Sequence, residues 1–469
     1  MSKSHNAARS AGKLIVLTSH PIQYQAPLWR ALVEEIGEGG GVSFEVWFLT
    51  DQGVRKTEDK DFGQAFAWDV DLLSGYPHRF LELSGGWDIG KFNGVPLAKP
   101  IGQSLREVGA TALWVEGWRF KPLWDAVSAA KSMGITIFLR GETSDKIPEK
   151  VGWFGLVRNF ALYRLFAKVD YFLAIGQASR RFYLGHGVPE GKLIDAPYCV
   201  DNEFFRAEAG KIRGAGASEG AQCEKGNFDI LTDQQRAIRE EWKIPLDAKV
   251  VMFCGKFVQK KRPLDMVLAA RAHFDRGNCD NLKDNEQSSC PWHLLFVGSG
   301  ELGDDLRAAC DVVYDAECQN DSRVERDRLE CNDTRAAGSM ESVIKISKHQ
   351  TAGAPPASFV GFLNQSKISK AYAVADVVVL PSDAWETWGL VINEATAAGV
   401  PTVVSKDCGC SDDFSAKNPF TITFVMGDTG GLAAGIEDAL NFKATWQTIS
   451  QQASWFAPRL TAEPVLGAI

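Results

Sequence analysis

Short apolar runs of strand length alternate with helix-like stretches along this chain, and the alternation occurs twice. In the first half the runs are KLIVLTS (13–19), VSFEVWFLT (42–50), ALWVEG (112–117), ITIFLRG (135–141) and YFLAIG (171–176), each closed by Ser, Gly or Asp. Stretches such as APLWRALVEEI and PLWDAVSAAKSMG lie between them. That grammar predicts βαβ units and a mostly parallel sheet. It restarts with VVMFCG (250–255), HLLFVG (293–298), SFVGF (358–362), DVVVLP (376–381) and PTVVS (401–405). A polar, Gly-rich stretch at 206–235 separates the two sets, and a charged stretch at 311–356 interrupts the second without clear periodicity. The expected architecture is α/β, with two Rossmann-like domains at 1–205 and 236–440. Between them lies a linker or insertion at 206–235; a surface insertion falls at 311–356 and a helical tail at 441–469. A length of 469 residues suits two domains of about 200 residues each.

The net charge of −8 lacks the basic footprint of a nucleic-acid binder. MSKSHNAARSAGK at the start has no apolar core of a secretory signal, and no uninterrupted apolar stretch reaches spanning length, so the expected location is cytoplasmic. The 10 cysteines follow no ligand spacing, and the close pair Cys408 and Cys410 has no second pair or histidine beside it. Reduced, unpaired thiols are expected.

In open parallel sheets ligands sit beyond the carboxyl ends of the strands, so the chemistry is sought there. In DVVVLPSDAWETWGLVINEATAAGV a strand ends at Pro381 and a helix starts near Gly389. Glu386 stands before that helix and Glu394 in its second turn. The amides of Trp388, Gly389 and Leu390 offer an anion site, and Gly389 permits close backbone approach. Glu394 sits among small residues and needs a partner, which a pair of ribose hydroxyls would supply. In GKFVQKKRP, Gly255 closes a strand and Lys256, Lys260, Lys261 and Arg262 follow, where a departing diphosphate would need positive charge. GSGELG at 298–303 matches the dinucleotide fingerprint, with Asp315 and Glu317 downstream, which keeps an NAD-dependent oxidoreductase open. It lies on the second strand of its domain, however, and Gly298 there also suits a sugar nucleotide's approach to the backbone. His20, after the first strand, either faces an acceptor or makes a structural hydrogen bond. Asp412 and Asp413 read as a turn and helix start.

At these residues the chain resembles the retaining glycosyltransferases of family 4, which have the GT-B fold. ETWGLVINE looks like that family's pair of glutamates eight apart, and GKFVQKKRP is similar to its diphosphate-binding strand end. AIGQASRRFYLGHGVPEGKLIDAPYCVDNEFF is similar to the segment closing the first domain. DFGQAFAWDVDLLSGY and FLRGETSD look like a hexosyltransferase subgroup of cell-surface polysaccharide or glycolipid biosynthesis. The resemblance implies that Glu394 holds the ribose and Glu386 contacts the donor sugar. Lys256 and Lys261 would bind the diphosphate with amides from Thr387 to Leu390, and Phe362 would edge the base. It implies no metal and no cofactor beyond the nucleotide-sugar donor, with a glycan or glycolipid as acceptor. Two departures stand out: SHPIQYQAP replaces a Gly-rich loop after the first strand, and Arg140 stands where many members carry a cleft histidine. A non-catalytic sugar-nucleotide-binding protein is the remaining alternative, against which both glutamates and both lysines speak.

Residues 151–173 mix Trp153, Phe154, Leu156, Phe160, Leu162 and Phe166 with Arg158, Arg164 and Lys168. Such a helix fits the headgroup region of an anionic membrane. The apolar residues surround it, however, and the following VDYFLAIG is a core strand, so the favoured expectation is a buried connecting helix with snorkelling cations.

Overall fold

A computed structural model describes residues 12–37, 41–55, 57–59, 64–88, 90–148, 152–214, 231–280, 291–319 and 353–469. Two seven-stranded sheets organise them. The first contains β1 (Gly12–Thr18), β2 (Val42–Phe48), β3 (His78–Phe80), β4 (Ala112–Glu116), β5 (Thr136–Arg140), β6 (Tyr171–Ala174) and β7 (Leu193–Asp195), ordered β3-β2-β1-β4-β5-β6-β7. The second contains β8 (Lys249–Cys254), β9 (Trp292–Val297), β10 (Asp311–Asp315), β11 (Pro356–Phe359), β12 (Val377–Leu380), β13 (Thr402–Ser405) and β14 (Thr421–Phe424). Its order is β10-β11-β9-β8-β12-β13-β14. Every pairing in both sheets is parallel. Helices cover both faces, which is why the central strands read as unbroken apolar runs rather than alternating ones. Leu14, Ile15, Val16 and Leu17 of β1 and Val250, Val251, Met252 and Phe253 of β8 are all fully buried.

Order reverses in the first sheet between β1 and β4, and in the second between β8 and β12. These switch points leave a crevice beyond the strand ends, where the crossing helices depart to opposite faces.

Composition assigns 206–235 to a linker, yet Asn202–Ile212 is a helix, capped by the Asp201 side chain accepting from the Phe204 amide. It packs on helices Gln365–Val374 and Leu390–Ala397 and buries Phe205 and Ala209 in the second domain's core. Residues 215–230 lie outside the described residues. In the stretch read as an insertion, 311–315 form the edge strand β10, paired with β11; its remainder from 320 to 352 also lies outside them. The tail crosses back: helix Arg459–Gly467 packs on helix Ala26–Ile36 and β7, and Ala462 and Val465 enter the core around Leu28, Trp29 and Leu32.

The domains meet through an apolar cluster of Ile175, Tyr198, Leu380, Trp388, Ile392, Val404, Phe414 and Phe456 with the buried thiols of Cys408 and Cys410. Beside it Lys146 of the first domain donates to Lys406 O (2.7 Å), Cys408 O (3.0 Å), Ser411 Oγ (2.7 Å) and Asp412 Oδ1 (3.1 Å) of the second. Arg181 joins Asp145 and Asp412, both at 2.6 Å.

Helix Trp153–Phe166 departs from its favoured expectation. Only Gly155, Leu162, Leu165 and Phe166 are buried, while Trp153, Phe154, Leu156, Val157, Phe160 and Tyr163 are exposed.

Candidate functional site

Lys261 ends a short turn, Gln259–Lys261, that follows β8, and the loop after β12 hooks onto it through the Asp383 amide, which donates to Lys260 O at 2.9 Å. The hook brings Lys261 against Glu386, and the two form an ion pair. Burial alone would lower the Lys261 pKa, but the Glu386 carboxylate outweighs it and holds the ammonium above its ordinary range. Lys256 lies half-buried at the same strand end. Arg262 turns aside, in a left-handed conformation, to pair with Asp265 at 2.8 Å.

Glu394 sits in helix Leu390–Ala397, and Tyr372 donates its hydroxyl to Oε2 at 2.6 Å. Burial pushes the Glu394 carboxyl up to about 7, against the pull of the Tyr372 hydrogen bond and of Lys261. Glu386, Lys261 and Glu394 thus share the second sheet's switch point. Gly389, with φ 106°, opens the helix with no side-chain cap. A Cβ there would stand 2.5 Å from Leu380 Cδ2, so only glycine lets the helix start so close to the strand end. The helix starts three residues after Glu386, the partner of Lys261, so helix dipole and cation act with one sign at this strand end.

Trp388 has a different part from the one its backbone amide is assigned. Its indole is 2% exposed, donates to Asn393 Oδ1 at 2.8 Å, and lies in the interdomain cluster. Asn393 in turn donates to Tyr198 O of the first domain at 3.0 Å. Thr387 and Leu390 flank it at the helix start. Phe362 is half-buried in the loop after β11.

The glycines of GSGELG serve packing between loops. A Cβ on Gly298 would lie 2.0 Å from Gly255 O, and one on Gly300 would lie 2.7–3.0 Å from the Phe257 backbone. Both have positive φ, 131° and 149°. The close approach they permit is of one strand-end loop to another, a packing reason for these glycines that their sequence pattern did not show. The acids a dinucleotide ribose would need are engaged, since Arg307 holds Asp315 at 2.6 Å and Glu317 at 2.8 Å.

The first domain's wall was only partly anticipated. His20 stands at the end of β1 with Nδ1 2.9 Å from Ser19 Oγ, and burial lowers its pKa to about 4, so it is neutral. Arg140 is 1% exposed, donates to Ala196 O at 3.2 Å, lies 3.8 Å from Glu116, and sits 4.6 Å from the Tyr198 ring centroid. It lies behind the wall and does not line the cleft surface, contrary to the direct substrate contact expected of it. The exposed group is Glu142, two residues on, which accepts from the hydroxyls of Tyr24 (2.9 Å) and Tyr198. Its signal was a glutamate directly after a strand in FLRGETSD; the two tyrosines that orient it are 118 and 56 residues away.

Asp412 and Asp413 lie in the first turn of helix Ser411–Lys417, Asp412 tied to Lys146 and Arg181 and Asp413 accepting from the Gln177 amide at 2.9 Å. Among the described residues no three His, Cys, Asp or Glu side chains are grouped to hold a metal ion. Cys199, Cys254, Cys310, Cys408 and Cys410 are free thiols.

Residues 337–453 match the family model for glycosyl transferases group 1. The chain is 35% identical over 102 residues to a sulfoquinovosyl transferase of Arabidopsis thaliana, a match covering 21% of this chain and 19% of that one; it therefore spans about a fifth of that relative's length. Among solved structures, a glycosyltransferase from Rickettsia africae aligns with TM-score 0.57 at 11% identity over 97% of both chains. The Anabaena protein HepE, solved in complex with UDP, aligns with TM-score 0.55 at 15% identity over 97% of this chain and 98% of that one. The likeness in fold runs through both parallel-sheet domains.

Proposed function

We propose that this GT-B chain, with its glycosyl transferases group 1 region, is a metal-independent, retaining glycosyltransferase that moves a hexosyl group from a nucleotide sugar to a glycan or glycolipid. The observation that carries the reading is the meeting of Lys261, Glu386 and Glu394 beside the uncapped helix start at the second sheet's switch point.

Glu394 grips the ribose hydroxyls, and Glu386 orients the donor sugar. Lys261, Lys256, Gly255 and the amides from Thr387 to Leu390 receive the diphosphate. As the bond from the anomeric carbon to the diphosphate oxygen breaks, that oxygen gains negative charge, which fixed cations and the helix dipole stabilise without reorganisation. The acceptor hydroxyl oxygen bonds to the same carbon on the face just vacated, and its proton passes to the departing phosphate. Glu142, held by Tyr24 and Tyr198 on the opposite wall, and His20, just after β1, receive the acceptor's hydroxyls. A cytoplasmic setting, in which thiols are kept reduced, is part of this reading.

Thermal-shift measurements with UDP, GDP and ADP, followed by assay of the matching sugar donors, test the reading. One nucleotide raises the melting point, and its sugar is turned over with excess EDTA present. Lys261→Ala lowers turnover about 100-fold or more, with a smaller change in donor binding. Stabilisation by NAD alone, loss of the reaction on chelation, or a Lys261→Ala rate near wild type would each count against it. Nucleotide binding without any turnover would favour a non-catalytic binder.

A further inference from the structure

Helix Trp153–Phe166 has apolar side chains on both faces, and only one face is covered. Phe166 packs against Trp118, Phe172 and Tyr183 with ring centroids 5.6, 5.2 and 5.7 Å away, and Gly155, Leu162 and Leu165 are buried with it. At about 100° per residue, these four cluster on one side. Trp153, Leu156, Val157, Phe160 and Tyr163 occupy the opposite half, Trp153 74% exposed, and Phe154 at the start of the helix stands 83% exposed beside them. Side chains of this size on one surface helix mark a contact surface.

Charge identifies what it meets. From Gly152 to Val169 the sequence contains Arg158, Arg164 and Lys168 and no acid, within a chain of net charge −8. Arg164 lies over the exposed Phe160 ring, 5.9 Å from its centroid, so cation and aromatic share one level of the helix face. This pairing matches the headgroup level of an anionic bilayer, where rings enter the acyl boundary and guanidinium groups meet phosphates. A two-fold contact with a second copy would instead set these cations against themselves. At 14 residues the helix is too short to cross a bilayer, and no described helix is long and apolar enough to do so. It would lie in the membrane plane.

The patch borders the cleft. Arg158 lines a cavity of about 120 Å³ together with Thr143, Ser144 and Arg181, next to the Glu142 loop. We infer that the outer face of Trp153–Phe166 docks the protein on anionic membrane and holds the first domain's cleft wall at headgroup level. The acceptor class this implies is an amphiphile that presents its hydroxyl at that level. That corollary rests on the transferase reading; the docking itself does not.

Full-length protein is sedimented with vesicles of phosphatidylcholine alone and of phosphatidylcholine mixed with phosphatidylglycerol, without donor or acceptor. Binding is expected to the mixed vesicles only, and to weaken at high salt. Arg158→Ala with Arg164→Ala lowers partitioning about 25-fold, roughly fivefold per cation. Phe154→Ser with Phe160→Ser lowers it at least about tenfold. All four side chains are solvent-exposed, so both variants keep the wild-type melting point. No binding to either vesicle, or undiminished binding by both variants, overturns the inference. So does a wild-type dimer in sedimentation velocity that Phe154→Ser with Phe160→Ser dissolves. Because the readout uses no substrate, failure here and failure of the transferase reading are separate results.

Discussion

Glu394 owes its behaviour to where a single carboxyl is held. Burial raises it from the ordinary 4.5 to about 7, so between those values the folded chain keeps a proton that the unfolded chain has lost. The stability it contributes to the empty protein is full below about 4.5 and is lost as pH rises through about 7. Ribose hydroxyls donate to the ionised form, so nucleotide affinity moves the opposite way and climbs over the same approach to neutrality. Calorimetric titration with the nucleotide that stabilises the protein should show affinity rising from about pH 6 to pH 8, and Glu394→Gln should be weaker and flat. A flat wild-type profile would remove Glu394 from the ribose. The need of this residue for a partner was legible in sequence, because a glutamate among alanines on a short helix cannot stay buried and unpaired. Tyr372 was not, since only the fold brings a residue 22 positions away to within 2.6 Å. Arg140 misled for a related reason. It is the last residue of a strand, and its burial beneath Tyr198 depends on a ring 58 positions further on.

Elements were read best where composition leaves one interpretation. The apolar runs became parallel strands because helices cover both faces, and the Lys-rich and Glu-containing strand ends met at the switch point because β8 and β12 are neighbours. Short polar elements escaped. Asn202–Ile212 hid in a Gly-rich stretch, and β10 has half-exposed edge positions that carry little periodicity. Helix Trp153–Phe166 was recognised as a helix but assigned the wrong surroundings, since an all-round apolar pattern reports burial only when both faces are covered by protein. Loop glycines offer a test at this scale. With φ 131° and a Cβ that would stand 2.0 Å from Gly255 O, Gly298→Ala should cost about 2–4 kcal/mol of stability from backbone strain and overpacking. Denaturant unfolding measures it. Unchanged stability would return GSGELG to the list of ligand loops.

Across the whole molecule, polar and apolar contacts together set the distance between the domains. The Lys146 ammonium reaches four oxygens of the facing domain, and Arg181 bridges Asp145 to Asp412. Lys146→Ala combined with Arg181→Ala should let the cleft widen without unfolding either core, giving a larger radius of gyration by solution scattering. Profiles identical to wild type would mean that the cluster around Trp388 and Phe456 holds the domains alone. The returning helix Arg459–Gly467 has a further consequence in time. A ribosome delivers the first domain's strands before the second domain, but Ala462 and Val465, which close the core over Trp29 and Leu32, follow every strand of the second domain. The first domain is therefore completed only after the second domain's strands have been made. Until synthesis reaches that helix, the apolar face of Ala26–Ile36 stays open to chaperones and to other nascent chains.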